Sequence, residues 1–154
     1  MTMEPFSRLQ TTSCPVLLRL VDGSALQGTL WLLPDSASPT GVTSVETLLG
    51  GAREFVAVGS GGQSCLVQRD AIRIVEIDPR GPGASSLTDA GASLDVVTFH
   101  LDSGESVSGI LRAVAREGQQ RMSDVFNAAG NWVPLLAGDR LLLVAKKRIV
   151  KVTF

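Results

Sequence analysis

The side chains that could perform chemistry in this chain are few and lie far apart. The sequence of 154 residues contains one histidine, His100, two cysteines, Cys14 and Cys65, and no tyrosine. A general base needs a nucleophile or an acid within hydrogen-bonding reach, and a zinc site needs ligands at short, regular spacings. Neither His100 nor the cysteines have such neighbours in the sequence. We therefore predict that the protein is not an enzyme, and we expect no catalytic residue, no metal and no cofactor.

Basic residues form one cluster near the end of the sequence. It comprises Lys146, Lys147 and Arg148, followed by Lys151. Such a cluster could contact a phosphate backbone or an acidic protein, or it could protect an edge strand from unwanted pairing. Because the chain has a net charge of −1, it lacks the basic balance that favours nucleic acids, and we prefer the third interpretation. Asn127 and these four residues form the alternative, disfavoured nucleic-acid-binding set.

Two stretches of the sequence match each other and indicate a duplicated fold. In each, an extended run is followed by a turn glycine, a second glycine and then a leucine. The matching residues are Gly23, Gly28 and Leu30 in the first stretch and Gly104, Gly109 and Leu111 in the second. The match continues at an offset of about eighty residues, which is typical of a repeated structural unit. We predict a first unit over 1–78 with an N-terminal helical segment, a Pro/Gly/Ser-rich linker over 79–93 and a second unit over 94–154.

Each unit is predicted to contain five short strands and one helical turn. Alternating apolar residues separated by glycine turns indicate the strands, while Ser44 and Gly50 suit the two ends of a helical turn. The predicted strands are 16–21, 25–33, 55–58, 64–68, 72–77, 96–101, 106–114, 132–136, 140–145 and 149–154; the helical turns are 45–49 and 123–127, and a further short helix covers 3–10. The predicted fold class is therefore all-β, with two tandem five-stranded small barrels.

The order of these elements resembles the Sm/LSm family of SH3-like small barrels. The resemblance is carried by 16–23 and 28–30, and by the closing strands 71–75 and 148–152. It extends to a duplicated bacterial family with two such units in tandem, and it implies the fold of each unit.

The resemblance does not carry RNA binding with it. RNA-binding members use an Asp and an Asn around the third strand and an Arg-Gly pair before the last one. The first unit has 47–50 and Asp70 at these places, and the second has 124–127 and Lys147-Arg148 without a glycine. An Sm-type RNA-binding protein is therefore the alternative function.

The outer faces of the two predicted units differ. Strand alternation places polar residues on the outer face of the second unit, but large apolar residues on the first. These predicted interface residues are Leu17, Val21, Trp31 and Leu33. Their burial would contribute about 1.5–3 kcal/mol each to an association. The face is covered either by the second unit, another subunit or a larger assembly, or by the N-terminal segment through Phe6 and Leu9.

These observations predict a non-catalytic protein–protein interaction or assembly module, a scaffold or adaptor that oligomerises or docks into a larger complex. Its partner is another protein or a second copy; a small-ligand sensor with a pocket between the units is a third hypothesis. No apolar run reaches the roughly 20 residues of a membrane-spanning helix, and the N-terminus lacks a signal-peptide pattern. We therefore expect a cytoplasmic location and no membrane partner.

Overall fold

Ten strands form one antiparallel sheet in this computed structural model, which describes residues 10–38, 40–84, 92–114, 122–127 and 130–154. The strands are β1 (Thr12–Leu20), β2 (Ala25–Leu32), β3 (Phe55–Ser60), β4 (Gln63–Gln68), β5 (Ile72–Ile77), β6 (Ala92–Leu101), β7 (Ser106–Val114), β8 (Trp132–Ala137), β9 (Arg140–Ala145) and β10 (Ile149–Thr153). Short helices α1 (Val45–Leu49) and α2 (Met122–Asn127) precede β3 and β8, and 3₁₀ turns over Arg69–Ala71 and Lys146–Arg148 precede β5 and β10. The predicted all-β class is confirmed.

The order of strands shows how the two halves of the chain are joined. Across the sheet the order is β10-β6-β7-β8-β9-β5-β1-β2-β3-β4. The joint is the antiparallel pair β5–β9, in which Ile74 lies opposite Val144 and Ile77 opposite Leu141. The prediction of two closed five-stranded barrels is not confirmed, since the sheet is not closed and runs from one half into the other. Pairing β5 with β9 satisfies backbone groups that two separate units would leave at their edges.

The two halves of the sheet share one internal geometry. Leu18 on β1 lies opposite Leu26 and Val75, as Phe99 on β6 lies opposite Val107 and Val152. The register of the last strand shifts at the same place in both halves, at Arg73 in β5 and at Val150 in β10. Each of these residues therefore has a structural counterpart in the other half.

The second glycine of each matching stretch is required by a close approach between strands. A Cβ atom on Gly28 would lie 2.6 Å from the carbonyl oxygen of Gly59, and one on Gly109 would lie 2.5 Å from that of Leu136. A side chain at either position would therefore collide with the backbone of the next strand. The first glycine of each stretch is required by its backbone conformation, because Gly23 and Gly104 turn the chain with positive φ angles of 90° and 86°.

Two apolar cores share the strands of the joint. The first contains Leu18 and Leu30 of the first half together with Leu143 and Trp132 of the second. The other contains Phe99 of the second half together with Ile74 of the first. Because neighbouring residues of a strand point to opposite faces, β5 and β9 are buried on both sides; this explains the apolar run Leu141–Ala145 in β9, while β5 also buries the charged residues Arg73 and Glu76.

The connection after β5 packs against the first half. The carbonyl of Gly83 accepts a 2.9 Å hydrogen bond from the Val45 amide, and Ala84 is buried in the first core. Ser44 caps α1 by accepting a hydrogen bond from the Thr47 amide, so the predicted helical turn is confirmed. The linker predicted over 79–93 thus includes packed residues, and its last two residues already belong to β6, which begins at Ala92. The central part of the linker, like most of the helix predicted over 3–10, lies outside the described residues. Within the described ranges no helix combines the length and apolarity needed to cross a membrane.

Candidate interaction surfaces

The four predicted interface residues lie at the surface but in two places. Trp31 is 52% exposed and Leu33 is 47% exposed, at the end of β2, whereas Leu17 and Val21 are half-buried beside β1. Trp31 is paired with Ser13, four residues along β1 from Leu17. At a rise of about 3.3 Å per residue, the two groups are roughly 13 Å apart along the strand. The structure therefore does not bring all four side chains into one patch.

The second half of the chain partly covers the patch that contains Leu17. Leu17 lines a groove whose other wall includes Ser103 and Glu105, from the turn between β6 and β7. The Arg19 guanidinium lies 4.0 Å from the Glu105 carboxylate and 2.6 Å from that of Glu76. Residues of the second half of the chain therefore border this patch.

The structure reveals a further set of exposed apolar residues at the two edges of the sheet. Leu66 on β4 is 72% exposed, Val150 on β10 is 71% exposed and Phe154, which follows β10, is 82% exposed. Phe55, on β3 next to β4, is also exposed. The sequence analysis missed them, because a match between apolar residues such as Leu66 and Leu143 does not show which of the two lies at an edge of the sheet.

The backbone makes these edges suitable for pairing. Among the described strands, β4 neighbours β3 alone and β10 neighbours β6 alone. An edge strand presents a row of amide and carbonyl groups on its outer side, and apolar side chains beside that row favour association with another strand. The sheet therefore has two different candidate docking edges, the outer side of β4 at one end and the outer side of β10 at the other.

A partly buried network of charges lies where the two halves meet. Arg73 on β5 is 9% exposed, and its Nε donates a 3.2 Å hydrogen bond to Asp102, which directly follows β6. Arg73 also donates to the carbonyls of Leu20 and Val21, at 3.1 and 3.4 Å. Arg148 donates to the second oxygen of Asp102 at 3.1 Å. Since Arg73 belongs to one half and Asp102 to the other, this network fixes their relative position.

The surroundings of Asp102 favour its ionised form. Burial acts against the charge, but the hydrogen bonds from Arg148 and Arg73 outweigh it, so the pKa of Asp102 lies below its usual range. The hydrogen bond and charge of Lys147 likewise lower the pKa of Asp70.

The structure places two of the predicted nucleic-acid-binding residues, Lys147 and Arg148, at the same joint. Lys147 lies 2.5 Å from the Asp70 carboxylate, and Arg148 contacts Asp102 and the Asp70 carbonyl. Lys151 is exposed on β10, whereas Asn127 is exposed at the end of α2. Lys147 is paired with Asp70, and Arg148 shares Asp102 with Arg73, so these acids partly compensate the positive charges and weaken their attraction for phosphate.

A cavity of about 250 Å³ lies between the two halves, near this cluster. It is lined by Arg69, Asp70, Ile72, Asn131, Trp132, Ala145 and Lys147. The charged groups at its rim are already engaged, because Lys147 contacts Asp70 and Arg69 donates to the carbonyls of Leu49 and Gly51. The cavity corresponds in position to the pocket of the ligand-sensor hypothesis.

The remaining reactive groups have structural neighbours. The imidazole of His100 on β6 lies 3.1 Å from the hydroxyls of both Thr153 on β10 and Ser106 on β7. It therefore links β6 to both adjacent strands. Cys14 is buried, which raises the pKa of its thiol, and Cys65 is half-buried on edge strand β4. In the part of the chain that the structure describes, His, Cys, Asp and Glu side chains form no group of three that could hold a metal ion.

Comparisons with known protein families, with curated proteins and with solved structures found no match to this chain.

Proposed function

We propose that this protein is a non-catalytic assembly module that binds other protein chains through the open edges of its sheet. The observation that carries the proposal is the exposure of Leu66 on β4 and of Val150 and Phe154 at β10. Large apolar side chains beside unpaired strand edges are a liability for a protein that acts alone, but they suit one that pairs with another chain.

The energetics favour a reversible association. Burying each of these side chains would contribute about 1.5–3 kcal/mol, whereas a solvent-exposed ion pair such as Lys147–Asp70 is screened by water and contributes little. Association costs on the order of 4–15 kcal/mol in lost translational and rotational freedom. The apolar contacts of a single joint are thus of the same magnitude as that cost. Edge pairing, rather than the charged cluster, is the main source of affinity.

Two finer features belong to the same proposal. The matching strand order and registers of the two halves support two Sm/SH3-like units that are fused edge to edge. Trp31 and Leu33 form a second apolar surface, on which a different protein could dock without blocking the edges.

A variant pair tests the function itself. Leu66→Glu places a charge on edge strand β4, and Val96→Glu is the matched control, because Val96 is 75% exposed but lies on the interior strand β6. Tagged chains would be isolated after nuclease treatment from cells of the native organism that also make the untagged chain, and the associated proteins, including untagged copies, would be quantified by mass spectrometry. We expect Leu66→Glu to lose associated chains at least tenfold and Val96→Glu to retain them. An unchanged set in Leu66→Glu and in the corresponding β10 variant, Val150→Glu, would refute the proposal.

A further inference from the structure

We infer that the partner at these edges is a second copy of this chain, joined head to tail, with β10 of one molecule paired antiparallel to β4 of the next. This inference rests on the proposed function and names its partner. Its basis is the β5–β9 joint inside the molecule, which displays the geometry that the outer edges would adopt.

The two outer edges are the counterparts of the two strands that already pair. Strand β10 occupies in the second half the place of β5 in the first, because both pair with the first strand of their half through the same shifted register. Likewise β4 pairs with β3 as β9 pairs with β8, with Val58 opposite Cys65 and Leu135 opposite Leu142. A β10–β4 contact between molecules therefore repeats the β5–β9 contact within one.

The exposed apolar residues are the counterparts of residues that this joint buries. Leu66 corresponds to Leu143, and Phe154 to Ile77; both counterparts are 1% exposed within the joint. Phe55 corresponds to Trp132, which packs into the first core across the joint. The same positions are thus apolar in both halves, although only one set is covered within a single molecule. An identical joint to the next molecule would cover the other.

The second core is open on the side where Leu66 of the next chain would insert. Leu143 reaches from β9 into the first core, so its counterpart Leu66 would reach from β4 into the second core of a neighbouring molecule. The second core has partly buried members, including Val152 on edge strand β10 and Phe126 on α2. The inserted leucine would complete the burial of these side chains.

The register of the outer joint follows from the inner one. Because Ile74 lies opposite Val144 and Glu76 opposite Leu142, their counterparts place Lys151 opposite Val67 of the next chain, and Thr153 opposite Cys65 of the next chain. This register brings the one half-buried cysteine of the described residues to the centre of the contact.

The outer joint differs from the inner one in its charges. The counterparts of the ion-paired Arg73 and Asp102 are Val150 and Val21, so an apolar contact replaces the partly buried ion pair. Val21, one of the interface residues predicted from the sequence, thereby acquires a partner. Conversely, Lys151 replaces the fully buried Ile74, and a lysine on an edge strand opposes tight pairing. The outer joint is therefore weaker than the inner one and opens on dilution.

An engineered disulfide tests the register. Directly opposed residues of antiparallel strands have Cβ atoms about 4.5–5.5 Å apart, close enough for a disulfide after a small adjustment. In purified Thr153→Cys, mild oxidation should produce a ladder of covalent multimers, with peptides of β10 linked to peptides of β4. Adding Cys65→Ser should abolish the ladder, and Val152→Cys, whose side chain packs on its own core, should give none. A ladder that persists with Cys65→Ser, or dimers linked only between the introduced thiols of two Thr153→Cys chains, would overturn the inference.

Mixing two blocked variants tests the head-to-tail arrangement. Leu66→Glu blocks the β4 edge and Val150→Glu blocks the β10 edge, so each variant alone should remain monomeric by light scattering. The mixture retains one intact edge of each kind and should form a one-to-one dimer. Circular dichroism confirms that both variants are folded. A monomeric mixture, or a wild-type chain that is monomeric up to millimolar concentration, would refute self-association.

The two levels of the proposal fail in different ways. If Leu66→Glu loses other proteins from cells while the purified chain never self-associates, the edges bind a different partner and only the head-to-tail inference falls. If neither Leu66→Glu nor Val150→Glu changes either property, the assembly function falls with it.

Discussion

Single residues at the joint determine how firmly the two halves hold together. Arg73 is a charged residue inside a strand that is buried on both faces, and it depends on Asp102 and two backbone carbonyls for its partners. A buried guanidinium that loses its carboxylate keeps the cost of desolvation without the compensating attraction. The joint is therefore sensitive to Asp102.

We predict that Asp102→Ala lowers the free energy of unfolding by about 1–3 kcal/mol, because it leaves Arg73 without its charged partner. Asp22→Ala is the control, since Asp22 is an exposed aspartate in the corresponding turn of the first half, and its side chain accepts hydrogen bonds from Ser24. Urea denaturation at neutral pH measures both. An equal or smaller loss for Asp102→Ala would contradict the role of the network.

The same carboxylates make the stability pH-dependent. The pKa values of Asp102 and Asp70 are lowered in the folded protein, so their contribution is present above the unfolded value of about 3.9 and is lost as the pH falls through the folded values. We predict that wild type is more stable than Asp102→Asn at pH 7 and that the difference shrinks on acidification below about pH 4. Urea titrations at several pH values measure it; a constant difference would be contrary to this expectation.

At the scale of elements, the local pattern of the sequence was sufficient for the strands and α1 but not for their arrangement. Strand alternation, turn glycines and the Ser44 cap are local signals, and the predicted α1, β5, β7 and β9 have the observed bounds. The pairing of β5 with β9 depends on contacts between distant residues, which no local pattern specifies. Its one signal was the apolar run Leu141–Ala145 in β9, which is typical of a strand buried on both faces, whereas Arg73 and Glu76 interrupt the apolar pattern of β5.

The close approach of β7 and β8 yields an element-scale prediction. Gly109→Ala should destabilise the protein by about 1–3 kcal/mol, because its Cβ would overlap the Leu136 carbonyl oxygen. Gly51→Ala is the control, since a Cβ there meets its nearest neighbour at an ordinary distance of 3.6 Å. Thermal unfolding of both variants checks this, and comparable melting temperatures would show that the strands can separate without cost.

At the scale of the whole molecule, the candidate sites divide into a part that the sequence could predict and a part that it could not. Alternation correctly identified Trp31 and Leu33 as exposed, because that inference needs only the face of one strand. Leu66 and Val150 could not be recognised in this way, since their exposure depends on which strands end the sheet. Because the two halves form one sheet, the main candidate surface lies at its edges, β4 and β10, and not on the outer face that the sequence predicted.

The face and the edges should act independently. We predict that Trp31→Glu leaves the concentration-dependent mass of the purified protein unchanged, because Trp31 lies on β2, away from β4's outer side and from β10. Sedimentation velocity over a range of concentrations measures this. A loss of self-association in Trp31→Glu would shift the assembly surface to the outer face.

The inner joint also sets a rule for any closed assembly. Each chain contributes two halves that are joined through Arg73 and Asp102, so a ring of chains can contain only an even number of halves. Ionic joints within chains and apolar joints between chains would alternate around such a ring, and dilution would separate it at every second joint, into whole chains.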